Sequence, residues 1–429
     1  MNLFSKSLKG VHVPHFKNTH DVETVLMPPP SQVTIVMSQH MGPPCEAQVK
    51  AGDEVKVGQV IGDSTAFLTA PIHSSVSGTV KSIGETLLAN GNRVAAVVIE
   101  SDGNQTLLEG IEPPKVTDKD SFIAAVRASG LVGLGGAGFP SHIKFNPKQK
   151  VDTLIINAAE CEPFITSDYR AIMEDTQYLL EGIGHIMNYV GLQKCIIGVE
   201  DNKPEAIKKL NGMLPDGVSV APLEATFPKG AEKVLIFEAT GRVVPEGMLP
   251  SDVGVVVVNV TSATFLGKYM TDGIPLISKR VTVDGGAVTT PKNVVVPIGT
   301  TIKDLVEFCG GYKQEPKKLL YGGPMMGVAV YDDSYSVLKN TNAVLALDKS
   351  QVEFYAETAC IRCGRCVRAC PFNLMPLNID DCFNKGDVEG LRMFKVNLCM
   401  ECGCCAYSCP AKRHLVQTHR LAKAMIPKV

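Results

Sequence analysis

The chain has 429 residues, 45% hydrophobic and 20% charged, with a formal net charge of −2. That is the balance of an ordinary globular protein, and the length suggests about three domains at roughly 100–200 residues each. No basic run stands out and Trp is absent, so neither a nucleic-acid backbone nor a base-stacking surface is indicated. No apolar run approaches the ~20 residues of a membrane helix, and the N-terminus shows no apolar core of a signal peptide. The chain is therefore expected not to cross a membrane, which leaves attachment to one open.

Residues 1–112 read as an N-terminal arm followed by a small β unit. The arm carries His12, His15 and His20 and stops at Pro28–Pro30, the pattern of a solvated or docking arm more than of a metal site. From Ser31 to about Glu100, short β-branched runs alternate with turns: SQVTIVMS, VKAGDEVKVGQVIG, APIHSSVSGTVKSI. Asp53 and Gly58 stand where the chain must reverse. The stretch resembles a barrel-sandwich hybrid domain of the biotinyl or lipoyl type. Where that family carries its modified lysine this sequence reads GDSTAFLTAP, so the resemblance implies the fold and a structural or docking module, not a carried cofactor.

Residues 113–270 read as an α/β domain. PPKVTDKD leads into a helix that Thr117 or Asp118 can cap, with Phe122, Ile123 and Val126 as its apolar stripe, and Gly130 stops it. In GLVGLGGAGFPSHIKF, Gly133, Gly135, Gly136 and Gly138 leave the backbone almost bare. Such a loop can approach a phosphate or planar ring and offer its N–H groups, especially where Pro140 opens a helix, and Lys144 can add a positive charge. A Gly-rich loop alone serves equally as a tight turn; its neighbours decide. Val151 to Ile156 is a buried strand by its apolar run, and Asn157 to Glu162 lies just past its carboxyl end, where open α/β sheets hold ligands. A helix over 168–190, a strand over 194–200 and the helix PEAIKKLNGML give the order β-α-β-α and predict a largely parallel, Rossmann-like sheet. A further strand over 253–263 ends in Asn259 to Ser262, so strand ends and Gly loop converge on one crevice.

Residues 271–348 predict a β-grasp unit: KRVTVDGGAV, NVVVPIGTTIKDLVEFCGG with Thr301 capping a helix that Gly310–Gly311 ends, then LLYGGPMMGVAV. GGPMMG (322–327) reads as a turn beside packing methionines. In residues 349–429 cysteine becomes a repeat. Cys360, Cys363, Cys366 and Cys370, then Cys399, Cys402, Cys405 and Cys409, both read C-x2-C-x2-C-x3-C-P, the spacing of bacterial two-cluster ferredoxins. There the fourth cysteine serves the other cluster. The assignment is Cys360, Cys363, Cys366 and Cys409 on one [4Fe–4S] cluster, and Cys399, Cys402, Cys405 and Cys370 on the other. Zinc is the rival, but its sites usually pair Cys or Cys/His; a disulfide framework suits a small secreted domain better. The helical character of NIDDCFNKGDVEGLRMF between the motifs predicts a helical two-cluster ferredoxin domain. Of the remaining cysteines, Cys195 and Cys309 are expected in the core and Cys161 as a small residue in the crevice. Cys404, beside ligand Cys405, could in principle exchange with it; the regular spacing speaks against that. Cys45 and Cys382 also lie outside the pattern.

GLGGAGFP-x3-K-F, NAAECEP and the strand ending in NVTS resemble the flavin-binding subunit of respiratory complex I, whose pattern is GRGGAGFP-x3-KW, NADESEP and NVET. The resemblance implies FMN contacts from Gly133, Gly135, Gly136, Lys144, Asn157, Glu160, Asn259 and Ser262, with Gly138 in the same loop. It puts Phe139 and Phe145 at aromatic positions near the nicotinamide cleft. Leu134 replaces the loop arginine and Ala159 the aspartate, so the polar contacts differ in part. The glutamate pair that helps bind NADH is replaced by KGAEKVLIFEATGR (229–242), with Glu232 as the substitute. The β-grasp unit is similar to the soluble-ligand-binding domain that follows the flavin domain in that complex.

The complete order, barrel-sandwich, flavin domain, β-grasp and two-cluster ferredoxin, resembles the RnfC family over nearly the whole chain. That family serves the Rnf complex, the ion-translocating ferredoxin:NAD+ oxidoreductase. This implies a subunit peripheral to the cytoplasmic face of the inner membrane. It would exchange hydride between NAD(H) and FMN, and single electrons through two [4Fe–4S] clusters, while other subunits move Na+ or H+. Two alternatives stand beside it: a soluble corrinoid reductase of a microcompartment, and a ferredoxin-like scaffold whose Gly loop holds no cofactor.

Overall fold

The computed structural model describes residues 8–353 and 355–427. The barrel-sandwich unit folds from two small antiparallel sheets. One runs in the order Gln32–Val36, Arg93–Ser101, Gly78–Leu87, Glu54–Val55; the other joins Glu46–Ala47, Val60–Asp63 and Ile72–His73. Alternation decides which side chains close it: Val33, Ile35, Val97 and Ile99 point inward and are buried. The expected turns form, with Gly52 and Gly58 at positive φ and the Asp53 carboxylate accepting the Lys50 N–H at 2.9 Å. Phe67 stands 80% exposed in the loop where a carrier domain has its lysine.

The α/β domain has an all-parallel four-stranded sheet in the order Val218–Leu223, Lys194–Glu200, Thr153–Ala158, Val255–Asn259. Asp118 caps the helix Lys119–Ala128 in a reciprocal box with Ser121. Two helices set the geometry of the crevice: Ser167–Val190 and Val260–Asp272. They cross in backbone contact, because a Cβ on Gly182 would lie 2.0 Å from Ala263 O and one on Gly267 2.0 Å from Tyr178 O. Each helix follows a sheet strand, and their starts meet where Asn259 and Thr261 bond Asp168. One expectation changes here. The strand over 253–263 stops at Asn259, whose side chain accepts the N–H groups of Thr261 and Ser262 and starts the helix. Asn at an N-cap wins over the run of β-branched residues behind it.

The β-grasp unit is a six-stranded mixed sheet, in the order Val25–Leu26, Lys292–Pro297, Ser278–Asp284, Ala343–Leu347, Lys318–Tyr321, Val328–Val330. Thr301 caps the helix Ile302–Phe308, which packs on it through Ile302, Leu305 and Val306. Its edge strand Val25–Leu26 belongs to the arm and pairs parallel with Val294 and Val295, so the arm is docked across domains instead of solvated.

From residue 355 to 427 the described chain forms helices and no strand. The cysteine repeat is also a backbone repeat. Arg362 and Glu401 sit two residues after the first cysteine of each run at positive φ, and Gly364 and Gly403 follow the second cysteine in the left-handed region before a short helix.

Candidate functional site

A cleft of about 500 Å³ opens at the carboxyl ends of Thr153–Ala158 and Val255–Asn259. One wall is the Gly loop. It is pinched shut where Gly133 N–H donates to Phe139 O at 2.9 Å, and Leu134 N–H donates to Ser262 Oγ at 3.0 Å. Gly135 is pressed on the helix start, where a Cβ would lie 2.4 Å from Asn259 Nδ2; around Gly136 a Cβ would meet nothing within 4 Å. Neighbouring domains hold the loop from outside: Asn340 Nδ2 donates to Gly136 O at 2.8 Å and Met41 N–H to Gly138 O at 3.0 Å.

The floor is a network around two helix N-termini. Asn259 Nδ2 donates to one Asp168 oxygen at 2.7 Å and Thr261 Oγ1 to the other at 2.6 Å. The buried Glu160 carboxylate accepts the N–H groups of Asp168 (2.7 Å) and Tyr169 (3.2 Å), capping the long helix. Burial raises the Glu160 pKa above the usual carboxylate range, with Lys17 as the leading opposing charge. Asn157 Nδ2 donates to Gly230 O at 2.7 Å and ties the segment 227–231 to the sheet. The far wall comes from the β-grasp unit, segments 321–328 and 338–342. Glu162 locks it by accepting Met325 N–H at 3.0 Å and Met326 N–H at 2.7 Å; burial raises its pKa too. Cys161 lines the cleft as a thiol whose pKa burial pushes up to about 12, in keeping with a small crevice residue.

Of the residues expected at the flavin, Gly135, Gly136, Asn157, Glu160 and Asn259 line the cleft. Gly133, Gly138, Phe139 and Ser262 do not line it; Gly133, Gly138 and Ser262 shape the loop from behind through the bonds above. Lys144 and Glu232 meet each other at 3.3 Å, with Lys144 Nζ also donating to Val257 O at 2.9 Å, and neither borders the cleft. The helix after Pro140 is one turn, Ser141–Lys144. It turns Phe145 into the core, 1% exposed and 5.9 Å from the Phe122 ring, so Phe145 is no cleft aromatic. The turn 322–327, read from sequence as packing only, contributes Gly322, Gly323, Met326 and Gly327 to the cleft. The sequence signal was its Gly-rich composition.

The eight repeat cysteines ring two hollows. Cys360, Cys363 and Cys366 share one with Cys409; Cys399, Cys402 and Cys405 share the other with Cys370. Each run thus sends its fourth cysteine across. Four cysteines around a hollow, at this spacing, suit an iron–sulfur cluster. Arg362 N–H donates to Cys360 Sγ and Glu401 N–H to Cys399 Sγ, both at 3.4 Å, the N–H···S bonds a charged cluster needs. Cys404 also borders the second hollow, beside its four cysteines, with its Sγ donating to Phe227 O at 3.7 Å. Phe227, Cys161, Cys402 and Cys404 share one apolar cluster with Met325, so the hollow of Cys370, Cys399, Cys402 and Cys405 backs onto the cleft. Cys360 and Cys363 are exposed at the outer edge.

The site fits its groups: a bare-backbone glycine loop beside the sheet's carboxyl edge for a flavin, and sulfur rings for iron–sulfur clusters. The fold and site define an oxidoreductase subunit of electron transport with an FMN-binding domain and a 4Fe–4S domain. Family matches agree. Residues 126–267 match the Nuo51 FMN-binding domain, 5–104 the RnfC barrel sandwich hybrid domain, 280–329 the SLBB domain and 355–374 the 4Fe-4S binding domain. Three relatives are the C subunits of Rnf-type complexes. The chain is 42% identical over 374 residues to that of the proton-translocating ferredoxin:NAD(+) oxidoreductase complex of Clostridium ljungdahlii, covering 86% of this chain and 82% of that one. It is 41% identical over 435 residues to that of the Na(+)-translocating ferredoxin:NAD(+) oxidoreductase complex of Acetobacterium woodii (99% and 98%). To that of the ion-translocating oxidoreductase complex of Rhodobacter capsulatus it is 37% identical over 428 residues (97% and 82%). The chain belongs to the RnfC family of Rnf complex subunits.

Proposed function

We propose that the chain carries electrons between NAD(H) and partner subunits of an Rnf-like complex through FMN and two [4Fe–4S] clusters. The observation that carries this is the division of eight cysteines into two four-sulfur rings, one of which backs onto the flavin cleft. FMN bound in the cleft supplies the exchange between a hydride pair and single electrons. The protein's residues do the rest. Gly135 and Gly136 let the cofactor approach the bare backbone of the loop, while Glu160 and Asn259 cap the helices Ser167–Val190 and Val260–Asp272 and hold the floor in place. The β-grasp wall locked by Glu162 narrows access of water. Cys370, Cys399, Cys402 and Cys405 hold the cluster nearer the cleft, and Cys360, Cys363, Cys366 and Cys409 the cluster at the exposed edge, where electrons pass to a partner. No side chain is required as nucleophile or general acid.

No helix among the described residues is long and apolar enough to cross a membrane. Other subunits therefore supply ion translocation in this reading, with the chain held peripherally on the cytoplasmic face. Ferredoxin is reached through those subunits. The test is anaerobic purification followed by iron and acid-released flavin assays and addition of NADH. The reading expects about eight irons and one FMN, both bleached by NADH. Protein that is brown but releases no flavin would refute it.

A further inference from the structure

The arm carries a half-buried lysine to the flavin turn. Lys17 Nζ donates to the carbonyl oxygens of Glu160 at 2.8 Å, Glu162 at 2.8 Å and Ile165 at 2.5 Å. Those residues all line the cleft. Three acceptors need three N–H donors, which a lysine side chain has only as the ammonium. Its three hydrogen bonds all go to inward-facing carbonyls, which hold the charge without a bonded carboxylate. Carbonyls gathered on one cation leave the other side of the turn free to present side chains to the cleft. The arm is anchored on both sides of this point. Val11 pairs with Phe227, a residue of the cleft wall, and Asn18 Nδ2 donates to Asp284 Oδ1 at 3.1 Å in the β-grasp unit. Thr19 and Thr166 hydroxyls meet at 2.5 Å, just before the helix that Glu160 caps.

We propose that Lys17 is a positioning residue for the flavin: its ammonium gathers the carbonyls of residues 160–165 into the turn that walls the cleft, making the N-terminal arm part of the cofactor site. The inference rests on the FMN reading above. Removing the ammonium strands three buried carbonyls, and the turn relaxes at the cofactor's expense.

The test is the rate of FMN release from the intact anaerobic protein, followed by flavin fluorescence, with iron content recorded alongside. Lys17→Met is expected to release FMN on the order of tenfold faster than wild type at unchanged iron content. In Lys17→Ala the three carbonyls leave a cation-sized gap, so ammonium chloride is expected to slow release again, and sodium chloride at equal ionic strength is not. An unchanged rate in Lys17→Met overturns the proposal. So does a fast rate in Lys17→Ala that ammonium leaves as it is, which is also the deciding result if Lys17→Met does not fold. Wild-type protein that holds no FMN would instead overturn the flavin reading, and the wild-type control tells the two failures apart.

Discussion

Gly135→Ala is the sharpest single perturbation of the cleft. A methyl there lies 2.4 Å from Asn259 Nδ2 and 2.7 Å from its Cγ, well inside contact distance. Asn259 cannot simply swing away, because its oxygen caps the helix Val260–Asp272 and its nitrogen donates to Asp168. Yielding loses the cap, about 1 kcal/mol, and a hydrogen bond to a charged group, roughly 1.5–3 kcal/mol. Moving the loop instead breaks Leu134 N–H to Ser262 Oγ, a bond of about 1 kcal/mol, and shifts the backbone that cradles the cofactor. The first route costs about 2.5–4 kcal/mol and the second about 1 kcal/mol, so the loop yields and FMN affinity falls by a factor of roughly 5 or more. Gly136→Ala is the internal comparison, since its Cβ meets no protein atom and the fold should be untouched. Fluorescence titration of flavin-depleted protein with FMN reads both variants. Wild-type affinity in Gly135→Ala would refute the claim that the contact with Asn259 shapes the cradle.

Cys404→Ala should keep the full iron content, because Cys404 falls outside the ligand spacing and its sulfur bonds Phe227 O, whereas Cys370→Ser should deplete the cluster of Cys399, Cys402 and Cys405 and spare the other; iron assay and EPR decide. Glu162→Ala strands the N–H groups of Met325 and Met326 and should lower stability by about 2 kcal/mol, read as a fall in denaturation midpoint. His73 is buried and its pKa falls to about 3, through burial first and the Lys339 charge second. A base with a depressed folded pKa binds its proton more readily when unfolded. Its contribution is therefore complete above the unfolded pKa of about 6.5 and lost as pH falls towards the folded value. Between pH 6.5 and 5.5 the loss is about 1 kcal/mol, and His73→Gln should remove that part of the acid slope in urea denaturation.

What could be read from the sequence was local chemistry. The cysteine spacing implied crossed ligation, and the hollows pair Cys409 with the first run and Cys370 with the second. The Gly loop and strand ends implied a crevice, and Gly135, Asn157 and Asn259 meet there. What escaped were contacts between residues far apart in the chain. Lys144 and Glu232, assigned separately to phosphate and nicotinamide, pair across 88 residues. Lys17 reaches Glu160 from 143 residues away, and no periodicity announces such a lysine in a polar arm. Phe145 sat at an aromatic position of a related pattern, but a one-turn helix rotates it inward. The β-grasp wall was hidden because its Gly-rich turn had an equally good reading as a plain turn.

Electrons are proposed to pass from flavin to inner cluster to outer cluster, and stopped-flow reduction by NADH of two single-cluster variants measures that order. With the outer cluster removed by Cys360→Ser and Cys363→Ser, the flavin and the remaining cluster should both bleach at the wild-type rate. With the inner cluster removed by Cys399→Ser and Cys402→Ser, the flavin should bleach while the outer cluster stays oxidised over the same interval. The reverse pattern, an outer cluster that fills at full rate without the inner one, would contradict the account.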